Sequence, residues 1–138
     1  MLAVNKYPAD YVAGCRARIV AQINAYDALA GEIAGAGGAA LAAFEAEFFA
    51  NLVLVLDNCF VHRTRAVEGK DGNALNEVRV VGASLLQNGG VMGSDKTIRL
   101  DPARSVLKLA PGDRIALTQA DFVRLADAFF AEIDARFT

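Results

Sequence analysis

The chain has 138 residues and a formal net charge of −2. It therefore carries no basic excess with which to neutralise phosphates, and nucleic acid is excluded as the expected partner. Hydrophobic residues make up 54% and charged residues 22%, which describes one packed globular domain rather than a disordered chain.

The first predicted helix spans 8–34. Val12, Cys15, Ile19, Ile23, Tyr26, Ala30 and Ile33 recur at steps of three and four and share one face. Pro8 suits the first turn. GAGGAA at 35–40 is a flexible connection: no strand precedes it, and its spacing is not that of a phosphate-binding GxGxxG. A second helix is expected over 39–67. Its two adjoining stripes, one from Phe44 to Cys59 and one from Phe49 to Phe60, make it apolar nearly all round. Such a helix must be central, or covered by another subunit. LVLVL at 52–56 also fits a buried strand, but AALAAFEAEFFA before it is rich in helix formers and favours helix. A third helix is expected over 74–88, capped by Asn73 and stopped by Gly89-Gly90.

The period then changes. TIRL (97–100), VLKL (106–109) and RIAL (114–117) alternate or nearly so, separated by DPARS and APGD, and predict a small β-hairpin or meander. Thr118 and Asp121 open a last helix over 119–137, whose broad apolar face runs from Phe122 to Phe137. The expected fold is mainly α: a single four-helix, bundle-like domain over 1–138, with the hairpin inserted before the last helix. MLAVNKYPAD shows no signal-peptide pattern, and the apolar run at 48–56 is too short to span a bilayer. A cytoplasmic protein with no membrane partner is expected. Cys15 and Cys59, not in a CxxC pair, read as buried free thiols.

Known chemistries fit poorly. One histidine rules out a three-histidine metal site, and neither HExxH nor Glu-x-x-His occurs, so no metal and no cofactor are expected. His62 with Asp57, Glu68 or Glu77 is the one conceivable ligand set. Aligning Gly72 with the glycine of a calcium loop puts valines at ligand positions, and no serine lies in GxSxG.

The polar stretch VHRTRAVEGKDGNALNEVR, 61–79, is the place to look. His62 continues an apolar stripe of the second helix and is expected to face the core. Arg63 and Arg65 suit a helix C-terminus, Asp71 and Asn73 a helix N-terminus. Glu68 lies at the wrong end of the second helix and needs a cation, with Arg65, Lys70 and Arg79 as candidates. Asn73, Asn76 and Glu77 would line one side of the third helix start. Two readings stand: a salt-bridge network that fixes the turn, or a pocket for a small polar or anionic ligand built from His62, Arg63, Arg65, Glu68, Asn73, Asn76, Glu77 and Arg79.

FVHRTRAVEGKDGNALNEVR, with SVLKLAPGDRIALTQADFVRLADAFFAEI, resembles a family of small uncharacterised bacterial proteins, over most of the chain after about Phe44. The resemblance implies a natural single-domain protein and carries no activity with it. The apolar girth of the second helix, the Phe-rich last helix and the lack of any catalytic constellation in the sequence make the expected function non-catalytic, through a homodimer or a protein partner. The alternative is a ligand-binding protein or enzyme with its site at the 62–79 corner.

Overall fold

A computed structural model describes residues 3–138. Five helices follow in order: α1 Ala9–Glu32, α2 Gly38–Cys59, α3 Arg65–Glu68, α4 Ala74–Gln87 and α5 Gln119–Arg136. α2, α4 and α5 pack against one another, and α1 lies along α2. Of the two α2 stripes read from the sequence, the one from Phe49 to Phe60 meets α4 and α5, whereas Phe44 and Val55 of the other are exposed. Val53 and Leu56 of α2, Leu75, Val78 and Val81 of α4, and Phe122, Phe129 and Ile133 of α5 are all fully buried. The LVLVL run is helical. By length and composition α2 is apolar enough to cross a membrane; here its second half, from Phe49 on, supplies the centre of the core.

The helix ends follow local chemistry. Asn73 Oδ1 accepts the Leu75 and Asn76 N–H groups and starts α4. Thr118 and Asp121 form a complete capping box on α5. Phe60 fills the seam between the ends of α2 and α5, edge-on to Tyr7 at 4.9 Å and 5.6 Å from Phe129.

Two expectations are corrected. The hairpin does not form: among the described residues there is no strand, only isolated bridges joining Val4 to Arg63 and Val91 to Arg114. The segments 97–100, 106–109 and 114–117 are irregular chain, bent at Thr97 and at Val106 and Leu107 and turned to a φ of 56° at Lys108, with Ile98, Ile115 and Leu117 buried against the helices. Side chains and scattered carbonyls satisfy their backbone where a ladder would. Asp95 accepts the Thr97 and Ile98 N–H groups, Ser105 Oγ that of Lys108, and Asp113 that of Ala110. The second helix also stops at Cys59 rather than at 67. There the N-terminal segment crosses it: Val4 N–H donates to the His62 carbonyl at 2.7 Å, and Thr64 N–H to the Val4 carbonyl at 2.9 Å. That pairing draws 62–64 into an extended path, and a separate single turn, α3, follows.

Candidate functional site

The 62–79 corner is built from the turn after α2, the short α3 and the start of α4. The chain that leaves the helix through the turn at 60–62 sends two neighbours to opposite sides. His62 faces solvent, against the expectation that it continues the core stripe, whereas Arg63 is only 3% exposed.

The Arg63 guanidinium makes four hydrogen bonds. Nε donates to Glu68 Oε1 (2.8 Å), Nη1 to the Phe60 carbonyl (3.0 Å), and Nη2 to Asp57 Oδ1 (2.8 Å) and the Leu75 carbonyl (3.2 Å). Two of these acceptors are backbone carbonyls, one in the turn closing α2 and one in the first turn of α4. A single side chain thus ties two elements together. Its face also lies 5.4 Å from the centroid of the Phe129 ring, which brings α5 into the same contact.

Glu68 is the anion at the centre, fully buried. Besides Arg63, its carboxylate accepts from Arg79 Nη2 (2.6 Å) and Nε (3.1 Å), and from Asn76 Nδ2 (2.7 Å). Burial pushes the Glu68 carboxyl up. The Arg79 hydrogen bonds, the charges of Arg63 and Arg79 and the Asn76 amide outweigh it, so its pKa lies below the ordinary carboxylate value. The two arginines face two carboxylates, Glu68 and Asp57, so the formal charge of the cluster is zero.

The asparagines complete it. Asn76, fully buried, spends its second N–H on the Gly69 carbonyl (2.9 Å) and accepts the Gly72 N–H at 2.9 Å. Asn73, besides capping α4, donates to the Glu68 carbonyl (2.8 Å) and to Asp71 Oδ1 (2.7 Å). Gly72 has φ 87° and lies so close to the 97–100 segment that a Cβ there would stand 2.4 Å from the Arg99 carbonyl oxygen. Only glycine meets both demands.

The structure therefore brings together Arg63, Glu68, Asn76 and Arg79, with Asn73 at the edge. It leaves out three of the expected residues. His62 and Arg65 point to solvent. Glu77 is buried but serves another place: its carboxylate accepts the N–H groups of Val106 (2.9 Å) and Leu107 (2.8 Å) and anchors that bend to α4. Burial pushes the Glu77 carboxyl up, with the two N–H groups and Lys108 opposing.

Sequence reasoning weighed Asp57 only as a metal ligand and missed its role as the second anion. It also missed Arg136, which donates to the Glu68 carbonyl from α5 at 3.0 Å. Neither stands at a helical spacing from its partner, so periodicity holds no trace of them. Among the described residues, no group of three or more His, Cys, Asp and Glu side chains is placed to hold a metal. A hollow of about 360 Å³ adjoins the cluster on the outer side of Arg79, lined also by Ser84, Asn88, Ser94 and Asp95. Compared with family models, curated proteins and solved structures, the chain matches none.

Proposed function

We propose that this is a non-catalytic helical protein that acts as a homodimer, two copies pairing through one face of the α1–α2 hairpin. The observation that carries this reading is the apolar side of that hairpin left open to solvent. Tyr11, Leu29, Phe44 and Val55 are 44%, 47%, 47% and 38% exposed. On α1 the row runs Tyr11, Arg18, Ala25, Leu29; on α2 it runs Phe44, Phe48, Asn51, Val55, at helical spacing in both. The Tyr11 hydroxyl donates to the Cys59 carbonyl, and the Tyr26 ring stacks on Phe44 at 6.3 Å, so the two rows lie side by side.

Charge and size favour a second copy as the occupant. Residues 21–50 hold Asp27, Glu32, Glu45 and Glu47 and no base, whereas Lys6, Arg16 and Arg18 outnumber the single acid Asp10 in residues 1–20. An antiparallel, two-fold pairing sets the acidic tip of each hairpin against the basic base of the other. A hairpin about 36 Å long at 1.5 Å per residue, and about two helix diameters wide, offers roughly 700 Å² per copy. A stable interface buries about 800 Å² per partner.

The other reading, a small polar or anionic ligand at the 62–79 corner, asks for a cation facing a cavity with charge to spare. Arg63 is buried with four acceptors, and Arg79 is shared with Glu68.

Sedimentation velocity tests the pairing. A dimer is expected at micromolar concentration. Leu29→Lys with Phe44→Lys, which sets positive charge against the partner's basic base, should give a monomer of unchanged helical content, and Arg18→Glu should weaken association several-fold. A natural chain that sediments as a monomer at that concentration refutes the proposal, as does a double variant that stays dimeric.

A further inference from the structure

Cys15 and Cys59 stand 44 positions apart on different helices, and both are free thiols. The fold makes them neighbours. They share the floor of a hollow of about 670 Å³ between α1 and the end of α2, which Asp10, Tyr11, Arg18 and Asn58 also line. The Cys15 thiol lies close enough to Cys59 to help raise its pKa. The Tyr11 hydroxyl, which donates to the Cys59 carbonyl, holds α1 against the end of α2 beside this pair. That carbonyl belongs to the last turn of α2, which has no helical partner for it, so the contact is one that the fold needs on its own account. Neither thiol has another role on view: no metal cluster forms among the described residues, and neither sulfur belongs to the 62–79 network.

We propose that Cys15 and Cys59 form a dithiol pair that small disulfides oxidise to an intrachain bond, stapling α1 to the C-terminal end of α2. The reaction balances as two exchanges. The thiolate of Cys59, the half-buried member, attacks one sulfur of a small disulfide, forming a mixed disulfide and expelling one small thiolate. The Cys15 thiolate then attacks the Cys59 sulfur and expels the second. The two protein protons end on the two small thiols, and the small disulfide is the species reduced.

The environment sets the tempo. Burial, with the Cys15 thiol beside it, pushes the Cys59 thiol up to about 11, although Arg18 opposes. Thiolate is scarce at neutral pH, so closure is slow. The same basicity makes Cys59 a poor leaving group, so the bond resists reduction once made. The pair is a slow, durable staple rather than a rapid sensor.

The test is incubation of the folded protein with oxidised glutathione at mildly alkaline pH. It is run on the natural chain and on the Leu29→Lys, Phe44→Lys double variant, because Tyr11, Arg18 and Val55 belong both to this hollow and to the proposed pairing face. The expected result is loss of both thiols, an intact mass lower by two hydrogens with no glutathione attached, and a proteolytic peptide joining Cys15 to Cys59. A bond closing a loop of this size should raise Tm by roughly 10 °C. A glutathione adduct that persists, or two thiols still countable after unfolding in both chains, overturns the proposal. Neither outcome bears on the pairing proposal, which sedimentation reads separately.

Discussion

Replacing Glu68 by alanine removes the anion that Arg63, Arg79 and Asn76 share, and the structure says which losses can be recovered. Arg79 has a side chain 25% exposed and can turn to water. Asn76 keeps the Gly69 carbonyl. Arg63 cannot leave, because its side chain is fully buried and its other bonds run to Asp57, Phe60 and Leu75. Its Nε–H is left without an acceptor, and its charge is matched only by the partly exposed Asp57. Removing one partner of a buried pair costs about 3–5 kcal/mol. The surviving Asp57 contact places this case near the lower end, about 3 kcal/mol, or roughly 10 °C in Tm for a chain of this size. Urea unfolding followed by helical circular dichroism measures it, with an unchanged m-value as the check that only stability moved. The pH dependence has a definite sign. The folded pKa of Glu68 is below its unfolded value of 4.5, so its stabilisation is fully present above that pH and is lost as pH falls through the folded value. The gap between natural and variant chains should therefore narrow below about pH 4.5. A cost under about 1 kcal/mol refutes this reasoning. A gain in stability would do more, recasting the corner as a site that holds strain for a ligand's sake.

Two further outcomes follow from the same geometry. Gly72→Ala sets a Cβ against the Arg99 carbonyl at a positive φ, so it should cost about 2–4 kcal/mol in the same unfolding assay; a neutral result would mean that the 97–100 segment is not docked there. Tyr7→Phe removes a buried hydroxyl that has no hydrogen-bond partner among the described residues, so stability should hold or rise by up to about 1 kcal/mol, and a clear loss would reveal a bond that the geometry lacks.

The sequence announced the four long helices, because each buries one stripe, and stripes are what periodicity reports. Asn73, Thr118 and Asp121 were legible as caps because capping is local chemistry. The strands were misread for a reason that generalises. Alternation in TIRL and RIAL marks which side of an extended chain meets the core, and says nothing of whether another strand lies beside it. Here Ile98 and Ile115 do face the core, but Asp95, Ser105 and Asp113 bind the backbone locally. The true end of the second helix was hidden because the agent that stops it, Val4, is remote in sequence. No glycine or proline marks 60–64, and the apolar stripe runs on through Cys59 to His62 as though the helix continued. At the corner, Glu68 was recognised as an anion in need of a cation. The choice of Arg63, buried beside Asp57, depended on that hidden turn.

The α1–α2 hairpin extends past the helices that cover its base. From Gln22 to Phe48 only Tyr26 is buried, whereas α2 from Phe49 onward, together with α4 and α5, makes up the interior. The chain is thus divided into two cooperative units of unequal strength. Amides at the hairpin tip can open to solvent while the interior stays folded, and those facing Leu56, Val81 and Ile133 open only when the whole domain does. A partner that grips the tip would slow that local opening without touching the interior, so the chain's least stable region is also the one whose motions would register binding.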